Sequence, residues 1–213
     1  MQLFCSNDQH LNRGCIESGV GVNKKESIFK TGIRLFAAQG FEATTTLQIA
    51  REVGVTEPAV FYHFKSKNAF FSAILEQAST VYIDRIDMKD SSASSAFERL
   101  SELIRIHFAV VAEEPALMRI LLRACPARLE NPDSTCVAVY RKARNQLKAG
   151  IKKILEEGTA SGEFHPVEID ATANMLIAML NGLMRQQVAG MDALEGVEAA
   201  TVEFCRRSLV VRA

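Results

Sequence analysis

The chain is poor in the features that mark a membrane protein, a secreted scaffold or an enzyme. No apolar run among its 213 residues approaches the roughly 18 that a membrane-spanning helix requires, so no membrane partner is expected. The opening residues, MQLFCSNDQHLNRGCIESGVGVN, have no basic stretch followed by an apolar one and do not read as a secretory signal. Without such a signal, five cysteines are expected as thiols in a reducing cytoplasm rather than as a disulfide framework. Catalytic motifs are missing too. GVGVNKK lacks the spacing of a phosphate-binding loop, and neither H-E-x-x-H nor G-x-S-x-G occurs. The four histidines, at 10, 63, 107 and 165, fall in unrelated segments. No cofactor and no bound metal is expected.

Net charge is also lacking, but the balance is uneven. Residues 24–75 carry seven Lys/Arg against four Asp/Glu, whereas residues 76–213 carry seventeen against nineteen. A mildly basic front section suits a polyanionic partner.

Strict alternation of apolar and polar residues is absent, and nearly every periodic segment has helical spacing. The fold class expected is therefore all-α. Residues 1–21, rich in Gly, Asn and small polar residues, read as a flexible arm. Ile28, Ile33, Leu35 and Phe36 then lie on one side of a helix that stops at Gly40. In TTTLQIAREVG, Thr45 is a good N-cap with Gln48 three residues on, and Gly54 ends the helix. Thr56 is expected to cap the next helix through its hydroxyl, taking the N–H of Ala59, because Pro58 in the first turn has none to give. A longer helix runs from Asn68 to about Asp87, and MKDSSASS (88–95) reads as a polar linker. Phe97, Leu100, Ile104, His107, Phe108 and Val111 form the apolar stripe of a fifth helix. Pro115 opens a sixth and Pro126 closes it. A long helix spans about Asp133 to Glu157, and the last two start near Asp170 and Asp192.

The segment 45–64 has the form of a helix-turn-helix, because helices joined at Gly54-Val55 must cross steeply. Its short second helix would enter a major groove with Glu57, Pro58 and Ala59 towards base edges. Thr44 and Thr45 offer hydroxyls and N–H groups at a helix start that suits a phosphate. Tyr62, His63 and Lys67 offer further contacts that fix position on a duplex.

The stretch IFKTGIRLFAAQGFEATTTLQIAREVGVTEPAVFYHFKSKNAFFSAI resembles the DNA-binding domain of the TetR family of bacterial transcriptional regulators. The matching features are the helix ending LFAAQGF, the T-T-x-x-x-I-A opening, the A-x-x-x-G-V turn and FYHFKSK, at constant spacing over almost fifty residues. The resemblance implies a three-helix DNA-binding domain over residues 22–82. It implies DNA contacts from Thr44, Thr45, Thr56, Glu57, Pro58, Ala59, Tyr62, His63 and Lys67. A larger helical domain for ligand binding and dimerisation would follow over 83–213. One departure matters. The family usually has Tyr where this chain has Phe61, and the missing hydroxyl removes a phosphate hydrogen bond of about 1 kcal/mol. Glu57 either accepts from a cytosine amino group or favours the helix N-terminus and points away; the second reading is preferred.

Two roles are expected of the back section. The helix holding Met175, Leu176, Ile177, Met179, Leu180, Leu183 and Met184 is apolar on most sides and must be covered on more than one face. The resemblance implies that the two C-terminal helices form a four-helix contact with a second copy, to which Met184, Val188, Val197, Thr201, Phe204 and Leu209 are assigned. A two-fold dimer matches a palindromic double-stranded operator. Phe97, Leu100, Ile104, His107, Phe108, Met118, Leu121, Tyr140, Leu147, Met175 and Met179 are the candidates to line a pocket for a small, largely apolar effector. Such stripes are also what an ordinary core presents, and His107 on its stripe suits a hydrogen-bonded core histidine. Arg105, Arg119, Arg123 and Arg144 are candidates to meet an anionic head group, or else lie on solvated faces.

The expectation is a homodimeric repressor that an effector releases by favouring the conformation unsuited to DNA. The alternatives are a redox- or metal-responsive regulator using Cys5, His10 and Cys15 or Cys125 and Cys136, and an enzyme.

Overall fold

The structure, a computed structural model, describes residues 23–87, 95–124, 135–190 and 195–212. Outside these residues lie the expected arm at 1–21 with Cys5, His10 and Cys15, the linker at 88–94, Cys125, Pro126, the helix start at Asp133, and Asp192. The side chain of Cys136 also lies outside the description.

Regular structure among the described residues is helical throughout. The elements are α1 (Lys24–Ala43), α2 (Thr46–Val53), α3 (Glu57–Phe64), α4 (Lys67–Asp87), α5 (Ala96–Glu113), α6 (Pro115–Ala124), α7 (Thr135–Ala160), α8 (Ile169–Ala189) and α9 (Val197–Leu209). The all-α reading holds, and no helix among the described residues is long and apolar enough to cross a membrane.

The front unit is built on aromatic packing. Phe70, fully buried on α4, stacks on Phe64 with ring centroids 4.0 Å apart and meets Phe36 edge-on at 5.8 Å. Gly32 of α1 makes this possible: a Cβ there would stand 2.4 Å from Cζ of Phe70. α1 is interrupted at Gly40, whose non-helical backbone separates a last turn from the rest. Arg34 of α1 and Glu52 of α2 form an ion pair across the outside of the unit.

Behind it, α5 is enclosed by α4, α6, α7, α8 and α9, while α6 reaches forward to pack on α1. The start of α5 shows how fully its free N–H groups are satisfied. Ser95 and Glu98 form a reciprocal capping box, each side chain accepting from the other's backbone at 3.1 and 3.0 Å. Glu163, far along the chain, adds its carboxylate to the N–H groups of Ala96 (2.8 Å) and Phe97 (2.9 Å). The loop carrying Glu163 is pinned by an antiparallel bridge between Phe164 and Val210. A distant segment thereby fixes the entry of the central helix.

Three local expectations are corrected. The hydroxyl of Thr56 makes no cap; the N–H of Ala59 is taken by the Thr56 backbone carbonyl at 3.0 Å, so the donor is already satisfied. The last helix begins at Val197, not near Asp192, because Gly196 in front of it has a φ of 75°. Thr45 does cap α2, accepting from the Gln48 N–H at 3.1 Å, but Gln48 does not complete the box: its Oε1 accepts from Gln39 at 2.7 Å.

Candidate nucleic-acid interface

The turn between α2 and α3 rests on Gly54, whose φ of 74° is a left-handed conformation that side chains other than glycine rarely adopt. Its N–H closes on the Arg51 carbonyl at 3.3 Å, and Val55 closes on Ala50 at 2.9 Å. α3 then buries Val60 and Phe64 against the core and turns Pro58, Phe61 and Tyr62 to solvent. Tyr62 is 85% exposed, an unusual position for so large a ring. His63 is half-buried beside it, ring centroids 5.1 Å apart.

The nine residues expected to meet DNA separate into groups. Thr45, Thr56, Pro58 and Tyr62 are exposed, and Ala59 and His63 half-buried. Lys67 is half-buried over the Phe41 ring, 4.3 Å from its centroid, and donates to the Glu42 carbonyl at 3.3 Å, so its charge is held against the chain entering α2. Glu57 does not stand free. It accepts from the Thr46 hydroxyl at 2.6 Å, which ties α2 to α3. Thr44 is fully buried, and its hydroxyl donates to the Gly40 carbonyl at 2.7 Å. That hydroxyl shapes the approach to α2 and is not presented to a phosphate.

The same structure places a narrow cavity in the back section, between α4, α6, α7 and α8. It is lined by Tyr82, Leu121, Leu122, Tyr140, Ala143, Arg144, Leu147, Ile177, Asn181 and Met184, and its free space is about 30 Å³. Of the eleven residues expected to line a pocket, Leu121, Tyr140 and Leu147 do. Leu100, Ile104, Phe108 and Met118 are buried in the general core instead, with Phe97 packed half-buried against it. The sequence pattern missed Tyr82, Leu122 and Ile177, because an apolar stripe shows which face is buried but not which neighbours it meets.

His107 is a core histidine with both ring nitrogens engaged. The Leu180 carbonyl, 3.0 Å from Nε2, can only accept, so Nε2 carries the proton. Nδ1 therefore accepts from the Tyr82 hydroxyl at 2.7 Å. Burial, partly offset by the bond to Leu180, lowers the pKa of His107 to about 4. The chain Tyr82–His107–Leu180 links α4, α5 and α8 in one buried relay, one end of which is a cavity wall.

The two apolar sides of α8 are also resolved. Ala173, Leu176, Ile177, Leu180, Met184 and Val188 face inward. Met175 is 53% exposed, and Met179 and Leu183, four and eight residues on, are half-buried along that same outer stripe. This reverses part of the expectation. Met175 and Met179, assigned to a pocket, lie outside it, whereas Met184, Val188, Thr201 and Leu209, assigned to a subunit contact, are buried within the single chain. Phe204 alone of the six is largely exposed, at 53%, with Val197 half-buried. Cys205 is buried, and that burial pushes its thiol up to about 11, which suits an inert core position. No group of three or more metal-ligating side chains is found among the described residues.

A short helix held out by a glycine turn, on a three-helix head joined through a continuous α4 to a helical body, defines a helix-turn-helix DNA-binding transcriptional regulator. Residues 28–74 match the family described as bacterial regulatory proteins, tetR family, and residues 93–185 match the tetracyclin repressor-like C-terminal domain. The chain belongs to the TetR family. The nucleoid occlusion factor SlmA of Citrobacter koseri is 27% identical over 170 residues, covering 78% of this chain and 83% of that protein. The HTH-type transcriptional regulator YerO of Bacillus subtilis is 53% identical, but over 53 residues, 25% of this chain and 18% of that one. Among solved structures, a tetR-family regulator from Rhodococcus RHA1 superposes with a TM-score of 0.75 at 23% identity, over 90% of this chain and 100% of that chain. A transcriptional regulator from Saccharomonospora viridis in complex with choline gives 0.78 at 23%, over 88% and 98%.

Proposed function

We propose that this regulator is a homodimeric repressor that holds a palindromic operator and leaves it when a small, largely apolar effector enters the cavity behind α4. The observation that carries the reading is the position of Tyr82. It lines the cavity and lies on the helix whose first residue, Lys67, braces the entry to α2. Thr45, Thr56, Pro58, Ala59, Tyr62 and His63 are the DNA-facing residues in this reading, with Lys67 adding charge.

The cavity's free space matches about one water and falls far short of a typical ligand pocket. In this reading the narrow cavity belongs to the DNA-competent form, and an effector stabilises a more open state. Its chemistry follows from the lining. Leu121, Leu122, Leu147, Ile177 and Met184 suit an apolar body. Arg144 and Asn181 suit an anionic or hydrogen-bond-accepting end, and no carboxylate lines the cavity among the described residues. The choline bound by the Saccharomonospora neighbour is a cation and would meet Arg144, so that ligand does not transfer. For the dimer, the outer stripe Met175, Met179 and Leu183 of α8 together with Phe204 of α9 supplies the apolar surface.

The test begins with selection of duplexes from a random pool by the full chain. A two-fold symmetric consensus whose affinity falls steeply with salt supports the reading. Decanoate, a ten-carbon carboxylate, should then weaken binding, and Leu147→Trp, which fills the cavity, should abolish that response while leaving operator affinity intact. A second reading is favoured by the narrow cavity and by the likeness to nucleoid occlusion factors over 78% of this chain: a DNA-bound factor that answers to no effector. Undiminished binding across carboxylates of several chain lengths would select it.

A further inference from the structure

A second hollow opens between α4 and α7, and it shares no lining residue with the narrow cavity. Its free space is about 620 Å³, within the range of sites that hold small molecules. One wall is α4. Glu76, Thr80 and Asp84 follow one another at steps of four residues and so stand along one stripe, with Ser79 and Ile83 beside them. The other wall is α7, which brings Val139, Lys142 and Gln146.

The polar groups of this groove are unspent. Ser79 is only 8% exposed, yet its hydroxyl takes part in no hydrogen bond among the described residues. Buried hydroxyls normally find a partner. Ser101 and Thr201, also buried on helices, donate to the carbonyls of Phe97 and Val197 one turn back, at 2.8 and 2.7 Å. Glu76 and Asp84 form no ion pair among the described residues, and Lys142 on the facing wall meets neither. Arg85, next to Asp84, is taken by Glu113 at 2.6 Å. Two carboxylates against one ammonium leave the lining net negative.

The spacing decides what kind of cation fits. From Glu76 to Asp84 is eight residues of helix, about 12 Å along the axis. A metal ion or a small ammonium reaches one carboxylate but not both. A linear polyamine reaches both, one terminal ammonium on each. Its inner amine then falls level with Ser79 and Thr80, whose hydroxyls accept from it, and its methylenes lie along Ile83 and Val139. Gln146 adds an acceptor from the α7 side.

We propose that the groove between α4 and α7 is a binding site for a linear polyamine, clamped between Glu76 and Asp84 and steadied by Ser79. The site is separate from the effector cavity and does not rest on that reading.

The experiment is isothermal titration calorimetry of the full chain with spermidine, without DNA and at fixed salt. Binding should saturate at one spermidine per chain. Glu76→Gln and Asp84→Asn, both exposed positions where the amide keeps the shape, should each weaken it at least about tenfold, the value of one charge-assisted hydrogen bond. Putrescine, too short to span the two carboxylates, should bind more weakly than spermidine and lose less to either substitution. Glu156→Gln, an exposed carboxylate outside the groove, should change nothing. Heat that never saturates, or equal losses in all three variants, would reduce the effect to general charge screening and overturn the site. Putrescine binding as tightly as spermidine would overturn the two-carboxylate clamp.

Discussion

His107 makes stability depend on pH in a defined window. The ring is 1% exposed, and burial holds its pKa at about 4. In an unfolded chain it titrates near 6.5, roughly the unperturbed value. Above that value neither state is protonated, and the full stability is present. As pH falls below it, the unfolded chain takes up a proton that the folded chain refuses, and stability is lost until about pH 4, where both states carry it. The two pKa values give a loss of about 1.2 kcal/mol between pH 7 and 5.5, and about 2.4 kcal/mol by pH 4.5. Carboxylates whose pKa is lowered, such as Asp170 by Lys148 and Lys152, weaken the fold on acidification as well, so a reference variant is needed. His107→Gln supplies it. The amide keeps one donor for the Leu180 carbonyl and one acceptor for the Tyr82 hydroxyl, and it does not titrate. Urea unfolding followed by circular dichroism, at one protein concentration and at pH 7, 5.5 and 4.5, should show the natural chain losing stability relative to the variant by those amounts. Parallel pH profiles would refute the burial argument, the tautomer assigned to His107 and the relay built on it.

Three further outcomes are expected. Lys67→Ala should weaken binding to all duplexes alike and reduce the slope of log affinity against log salt by about 0.9, the contribution of one phosphate; an unchanged slope places its charge away from DNA. Gly32→Ala should lower stability by about 1–2 kcal/mol, because overpacking against Phe70 exceeds the helix preference for alanine; a more stable variant in urea would show that the Phe70 ring yields. Phe204→Glu should shift the chain from dimer to monomer in analytical ultracentrifugation and weaken operator binding through lost half-site pairing; an unchanged dimer would move the contact elsewhere.

The front unit is legible in the sequence because its determinants are local. Gly40 and Gly54 fall where helices break, Thr45 caps α2, and all lie within a few residues of what they control. Even there, Thr56 fails as a side-chain cap, since a backbone carbonyl already satisfies the N–H of Ala59. The back section is less legible because its site is made by elements far apart in the chain. Nothing near Tyr82 in the sequence announces His107, twenty-five residues away, or Leu180, and nothing near Ala96 announces Glu163. α8 is the clearest case. Its apolar residues lie on two faces, and their spacing cannot say which face meets the cavity and which is left open. Met175, expected in the pocket, is exposed, and Met184, expected at the subunit contact, lines the cavity.

These placements also bear on how an effector would act under the proposed reading. From Lys67 to Tyr82 is fifteen residues of unbroken helix, about 22 Å. A tilt of about 5° at the cavity end displaces the other end by about 2 Å, a shift that grows across a two-fold pair reading adjacent major grooves. The Tyr82–His107 hydrogen bond opposes such a tilt, since breaking it strands a buried acceptor at a cost of about 1–3 kcal/mol. Arg144, Asn181 and the apolar walls must favour the open state by more than that. An effector that only fills the narrow cavity, and leaves this bond in place, gains equally from both conformations and shifts neither.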